Sequence, residues 1–350
     1  MLSGQAVNRK ESATADANVS LDFRISCVTL PLLAVPSLPR TLKYQVVRAI
    51  RQEITGGYIL KRRDFLIGSM AAASVTAYGT AQDTVLMSKL DRVGAMSGNF
   101  DGLLKEVRDW SQPAAPGELD IMDFPSMLSS RYHIHNVEVQ QIHFLSMEPS
   151  YFDKFHARLQ KANSRMVNMP LELDQSGYKG IISPCSPDPQ IRAHAIDLTK
   201  QWIDRSAMIQ CPSVMPNQGA LLEGDLTPAI DALKQLADYG AAKGVSIILE
   251  PRGKTPVDTL VKVIKEAGIY ANPDIGNFGN EENTERGLRL MYPLAKTVSH
   301  VKWNPERFNF ATAIGISKEM GFKGVYSMET GGPEPYAMQQ QLLDYLLMNL

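Results

Sequence analysis

Four residues able to bind a metal or move a proton each close a short apolar run in the C-terminal third of the chain. Glu250 ends V-S-I-I-L-E, Asp274 ends I-Y-A-N-P-D, His300 ends T-V-S-H and Glu329 ends V-Y-S-M-E. Successive members lie 24, 26 and 29 residues apart, about the length of one strand plus one helix in an α/β barrel. Three carboxylates and one imidazole make a hard, mostly oxygen donor set suited to Mn, Mg or Zn, with Co also admissible. Catalytic groups of such barrels project from the C-terminal ends of parallel strands, so these four side chains would converge on one mouth.

The elements needed to hold them are visible from residue 83 onward. Strand-like runs occur at Arg92–Met96, Val137–Phe144, Arg165–Leu171, Met208–Val214, Val245–Glu250, Ile269–Asp274, Val298–Trp303 and Gly324–Glu329. Helical patterns separate most of them, at Asp120–Tyr132, Ser150–Ala162, Pro189–Arg205, Thr227–Gly244, Val257–Ala267, Thr284–Ala295 and Phe310–Met320, and another follows at Glu334–Met348. In Thr227–Gly244, Ile230, Leu233, Leu236 and Ala237 recur at helical spacing and form one apolar face. Gly244, Gly268 and Gly321 stand where helices must stop before a strand. Eight such alternations over residues 83–350 predict a (β/α)8 TIM barrel of the α/β class. No G-x-G-x-x-G follows a strand, which argues against an open doubly wound sheet.

With 350 residues, 44% of them apolar, the chain can bury one large core and carry an appendage. Its formal net charge of −1 excludes a generally nucleic-acid-binding surface. The charge is uneven, with ten Lys/Arg and five Asp/Glu in residues 1–81 against 26 and 32 in residues 82–350. Cys27, Cys185 and Cys211 form no C-x-x-C pair, so neither a disulfide framework nor a sulfur-ligated zinc is expected. K-R-R-D-F-L at Lys61–Leu66, followed by the weakly apolar run Ile67–Ala81, has the pattern of a twin-arginine export signal spanning residues 61–81. This predicts an exported or periplasmic protein that engages the twin-arginine machinery. Residues 1–60 show no sustained period and read as a non-native or disordered extension, with translation expected to begin near Leu60.

The ordered quartet Glu250, Asp274, His300 and Glu329 resembles that of the sugar isomerase/epimerase superfamily of xylose-isomerase-like barrels. The resemblance covers residues 84–350 and rests on L-E-P at Leu249–Pro251, D-I-G-N at Asp274–Asn277, H-V-K at His300–Lys302 and Y-S-M-E at Tyr326–Glu329. It implies a divalent ion held by all four residues and a small-molecule sugar or sugar derivative as substrate. It also implies that Glu250 and Glu329 are the acid/base pair, moving a proton beside a carbonyl through an enediolate that the ion stabilises. The same chemistry admits a lyase or hydratase that expels a β-leaving group from a keto-sugar or keto-glycoside, and a non-catalytic sugar-binding barrel is the third reading. A homo-oligomer is left open.

Two positions depart from the family pattern. Asn277 stands where many relatives carry a histidine after the D-x-G, and asparagine cannot act as an imidazole acid/base. Trp303 stands where many continue H-x-K with an aspartate; its indole would stack on a sugar ring or pack in the core. Further substrate-contact candidates are His143 near the end of strand two, Glu172 and Asp174 after strand three, Asn217 and Gln218 after strand four, and Arg252 beyond Glu250.

Overall fold

The structure is a computed structural model that describes residues 83–106, 117–173, 182–219, 221, 224–302, 304 and 306–350. The twin-arginine segment, the extension before it, Asp174 and Trp303 lie outside the described residues.

Eight short strands form the sheet: β1 (Val93–Met96), β2 (Asn136–Glu138), β3 (Arg165–Leu171), β4 (Ser213–Pro216), β5 (Ser246–Leu249), β6 (Tyr270–Ala271), β7 (Val298–Val301) and β8 (Val325–Met328). Every pairing is parallel and the order is β6-β5-β4-β3-β2-β1-β8-β7. The two ends of that order meet through a parallel bridge between Ala271 and Ala295. The Ile275 N–H also donates to the His300 carbonyl across 3.0 Å, so the sheet curls into a barrel.

A helix follows each strand: α1 (Phe124–Tyr132), α2 (Pro149–Lys161), α3 (Pro189–Met208), α4 (Thr227–Ala241), α5 (Val257–Ala267), α6 (Glu281–Met291), α7 (Phe310–Glu319) and α8 (Pro335–Asn349). Helix α5 shows why. Leu260, Val261, Val263, Ile264 and Ala267 are buried while the charged residues between them stay outside. Each large aliphatic removed from water contributes roughly 2 kcal/mol. The helix stops at Gly268, whose φ of 67° is left-handed and favours glycine. Among the described residues, no helix is long and apolar enough to cross a membrane.

The period-2 alternation of strands sorts side chains into two sets. The main core lies between strands and helices, and includes Val93, Met169, Val214, Ile247, Val301 and Tyr326. A separate apolar cluster of Val167, Met215, Ile248, Val298 and Val325 lies on the opposite face of the strands, inside the barrel. One or two alternations further along the same strands come Glu250, His300 and Glu329. An apolar plug thus underlies the polar mouth.

Three strands depart most from the sequence reading. The second strand stops at Glu138, and Gln141–His143 forms a 3-10 turn instead of continuing to Phe144. The Gln141 amide takes over the ladder there, donating to the Glu172 carbonyl and accepting from the Glu172 N–H, each at 2.7 Å. Helix α3 runs on through Met208, delaying the fourth strand to Ser213. The sixth strand is only Tyr270–Ala271; the Asn272 N–H still donates to the Leu249 carbonyl at 2.7 Å, and Pro273, which has no N–H, ends the ladder.

Candidate metal and proton-transfer site

Glu250, Asp274 and His300 are buried together at the C-terminal end of the barrel. Each presents one ligand-capable atom, and these atoms all lie within 4.8 Å of one another. His300 Nδ1 is 3.1 Å from Glu250 Oε2, 3.4 Å from Glu329 Oε2 and 3.9 Å from Asp274 Oδ2. Glu329 is 31% exposed and stands on the solvent side of this group. Asn272 braces the cluster from two sides, accepting the His300 N–H at 2.9 Å and donating to Glu250 Oε2 at 3.2 Å. The Gly276 N–H fixes Asp274 Oδ1 at 2.9 Å.

Cations hold one oxygen of each carboxylate. Arg252 donates to Glu250 Oε1 through both Nη2 (2.9 Å) and Nε (3.1 Å), and its Nη2 also meets Glu172 Oε1 at 2.9 Å. Lys302 Nζ lies 2.9 Å from Asp274 Oδ2, 3.0 Å from Glu329 Oε1 and 3.0 Å from Asn277 Oδ1. Gly276 makes room for the lysine stem: a Cβ there would come within 2.5 Å of Lys302 Cδ.

Burial and crowding set the protonation states. At Asp274, burial dominates, with Glu329 and Glu250 adding to it, and the carboxyl is pushed up to about 7 despite Lys302. Lys302 is itself raised, because Asp274 and Glu329 outweigh the cost of its burial. The two partners differ because Asp274 is fully buried between further carboxylates, whereas Lys302 is a quarter exposed. Burial alone would raise Glu329 too, but its contacts with His300 and Lys302 hold it at about 2. Glu250 is likewise lowered against burial, by His300 and Arg252. Burial would depress His300, yet Glu138 first, then Glu250 and Glu329, raise it well above the ordinary imidazole value. Without a bound ion the imidazole is therefore protonated, and Nδ1 is where a divalent ion would take the proton's place.

The donor set fits such an ion. It combines oxygen with one nitrogen, is buried, and carries more negative than positive groups at its centre. His300 Nδ1 is buried without a well-formed hydrogen bond, as expected of an atom reserved for a ligand.

The remaining candidates from the sequence are dispersed. Asn217 donates to Glu172 Oε2 at 2.8 Å, and with Arg252 forms a polar chain leading to Glu250. Gln218 donates to the Glu250 carbonyl at 2.6 Å, bracing backbone. Asn277 bridges the Pro251 carbonyl and Lys302. His143 lies in the 3-10 turn. Its Nδ1 pairs with Ser97 Oγ at 2.9 Å, and Nε2 lies 3.3 Å from Asp101 Oδ1. Cavities of about 470 Å³ flank Glu329 on both sides, one reached from Asp101 and Gln140, the other from Lys302, Asn277 and Arg307.

Sequence reasoning missed Glu138 and Lys302. Glu138 is fully buried on β2, and its Oε1 meets His300 Nε2 at 2.9 Å. The available signal was an acid inside an apolar strand, which requires a buried partner. Lys302 was legible from alternation: with His300 inward and Val301 outward, position 302 returns to the mouth.

Residues 134–346 match the family described as xylose isomerase-like TIM barrel. No curated protein matches the chain by sequence. Among solved structures, D-allulose 3-epimerase from Methylomonas sp. aligns with a TM-score of 0.57 at 14% identity, covering 74% of this chain and 98% of that one. A xylose isomerase-like TIM barrel protein from Mycobacterium smegmatis in complex with magnesium aligns at 0.54 and 15% identity, covering 74% and 96%. The IOLI protein with a bound zinc atom aligns at 0.54 and 12% identity, covering 74% and 94%. At these identities the likeness establishes the fold.

Proposed function

The chain belongs to the xylose isomerase-like TIM barrel family, and we propose that it is a divalent-metal-dependent isomerase or epimerase of a sugar or sugar derivative. The observation that carries this reading is the convergence of Glu250, Asp274 and His300 in one buried cluster with Glu329 beside it. Solved relatives that include sugar 3-epimerases, one of them in complex with D-allulose and another with D-tagatose, support the substrate class.

Glu250, Asp274, His300 and Glu329 would hold the ion. When bound, it would polarise adjacent substrate oxygens as a Lewis acid and stabilise the negative charge that develops on proton removal. Glu250 and Glu329 would carry the proton transfer, a role supported by each having one oxygen fixed by a cation and the other facing the centre. One carboxylate takes the proton from the carbon beside the carbonyl, and the other returns a proton to the opposite face or to the neighbouring carbon. Arg252 and Lys302 hold these carboxylates in orientation. The Asn277 amide, fixed to Pro251 and Lys302, lines the approach and offers hydrogen bonds without acid/base capacity.

A panel of keto-sugars incubated in D₂O with Mn²⁺-loaded protein, the ion chelated before NMR, tests the reading. The expected result is deuterium next to the keto group together with an epimer or isomer. A new alkene would reassign the site to elimination, and no exchange on any sugar would contradict the proposed activity. We propose further that residues 61–81 direct export through the twin-arginine route, supported by Arg62–Arg63 and the mildly apolar run behind them. That route carries folded cargo, so the ion would be acquired before export.

A further inference from the structure

His300 reaches the cluster with Nδ1, and its other ring nitrogen points across the barrel interior to a residue on β2. Glu138 Oε1 lies 2.9 Å from His300 Nε2, and both side chains are essentially inaccessible to solvent. Asn168 on β3 donates to the same Oε1 at 2.7 Å, and accepts from Ser213 Oγ on β4 at 2.9 Å. Ser213 in turn meets Thr297 Oγ1, just before β7, at 3.0 Å. The chain of contacts leaves β7 through the His300 ring and returns beside it through Thr297.

The backbone is shaped to allow this. The β2–β3 register slips between Val137 and Glu138, which pair with Met166 and Asn168. The slip lets two consecutive residues, Val167 and Asn168, both face the interior: Val167 joins the apolar plug and Asn168 meets Glu138. Glu138 Oε2 is buried with no hydrogen-bond partner. A carboxylate serving only as core filler would be expected to have both oxygens satisfied. Here one oxygen takes two donors, and among the described residues the histidine is the one cationic or ring group on it.

We infer that Glu138 is a positioning residue for the ion: it accepts the Nε2–H of His300, so that the Nδ1 lone pair is presented to the cluster of Glu250, Asp274 and Glu329. The inference rests on the metal reading above. Hydrogen bonding at Nε2 fixes the tautomer and ring orientation, and a carboxylate acceptor makes Nδ1 a stronger donor to a cation. Glu138 itself touches neither substrate nor ion.

The test uses full-length protein stripped with EDTA, with Zn²⁺ titrated calorimetrically into wild type, Glu138→Gln and Glu138→Leu. Losing an outer partner of this kind typically weakens metal binding about 10–100-fold. Leu is expected in that range, and Gln, which keeps an acceptor oxygen but not the charge, between Leu and wild type. Long-range ¹H–¹⁵N NMR of the Zn²⁺-loaded protein is the second readout. It should show a protected proton on His300 Nε2 in wild type, shifted upfield in Glu138→Gln and exchange-broadened in Glu138→Leu. Should Leu not fold, the isosteric Gln variant decides. Zn²⁺ affinity within threefold of wild type together with an unmoved Nε2 proton in Glu138→Gln would overturn the positioning role while leaving the metal site standing. Wild-type protein that takes up no Zn²⁺ or Mn²⁺ would overturn the metal reading, and with it the role given to Glu138.

Discussion

Replacing Lys302 with methionine removes a positive charge from the carboxylates that the ion needs, while keeping the length and apolar stem of the side chain. Lys302 Nζ sits 2.9 Å from Asp274 and 3.0 Å from Glu329. Each contact has a gross attraction of about 5.6 kcal/mol at an effective dielectric of 20. Desolvating the ammonium costs several kcal/mol in return. Asp274 can also take up a proton once its cation has gone. The net loss in metal-free protein is therefore smaller, about 2 kcal/mol, or about 4–8 °C in melting temperature for a domain of this size. A bound divalent ion would neutralise the same oxygens. The variant should then recover when loaded and bind Mn²⁺ about 30-fold more tightly, 1.4 kcal/mol corresponding to a factor of ten. Calorimetric titration of EDTA-stripped protein with Mn²⁺, paired with melts in EDTA and in saturating Mn²⁺, measures both sides of this cycle. Mn²⁺ affinity in Lys302→Met equal to or weaker than wild type would refute competition between ammonium and ion.

Three further outcomes are expected. Glu250→Gln and Glu329→Gln should each lower turnover by about 10²–10⁴-fold, with substrate affinity changed far less; turnover within a few-fold of wild type in both would contradict the proton-transfer pair. Stability of the metal-free protein should depend on pH through groups of opposite sign, Asp274 and Glu329 among them. Asp274 is raised from 3.8 to about 7, so its contribution is complete below pH 3.8 and is lost as pH rises through 7. Glu329 is lowered from 4.5 to about 2, so its contribution is present above pH 4.5 and is lost as pH falls through 2. Urea unfolding in EDTA should show a decline from pH 5 to 6.5, below the range in which the raised His300 contributes, that Asp274→Asn abolishes; a flat profile in wild type over that range would count against the buried carboxyl. Finally, Arg62→Lys combined with Arg63→Lys should retain the folded protein in the cytoplasm; fractionation showing normal export would remove the twin-arginine reading.

The barrel was legible in the sequence because parallel strands covered by helices alternate in a regular rhythm that survives errors at their ends. The quartet was legible for a related reason: each member ends its own strand, so order along the chain becomes position around the mouth. Glu138 was not, since it lies within a strand and meets His300 across 162 residues of sequence. Only closure of the barrel brings them together. Strand two was read as continuing to Phe144, whereas the Gln141 side chain replaces the ladder there, and His143 lies in the resulting turn beside Ser97 and Asp101. Lys302 was quoted within H-V-K, but its role depends on Gly276, whose missing side chain opens the path to Asp274.

The proposed chemistry requires one divalent ion bound by Glu250, Asp274, His300 and Glu329. Anomalous diffraction from Mn²⁺-soaked crystals, with metal content measured on wild type and Asp274→Ala, tests it most directly. The expected result is a single strong anomalous peak among those four side chains, near one Mn²⁺ per chain in wild type, and a folded Asp274→Ala protein with little bound metal. A peak elsewhere, or full occupancy in Asp274→Ala, would contradict it.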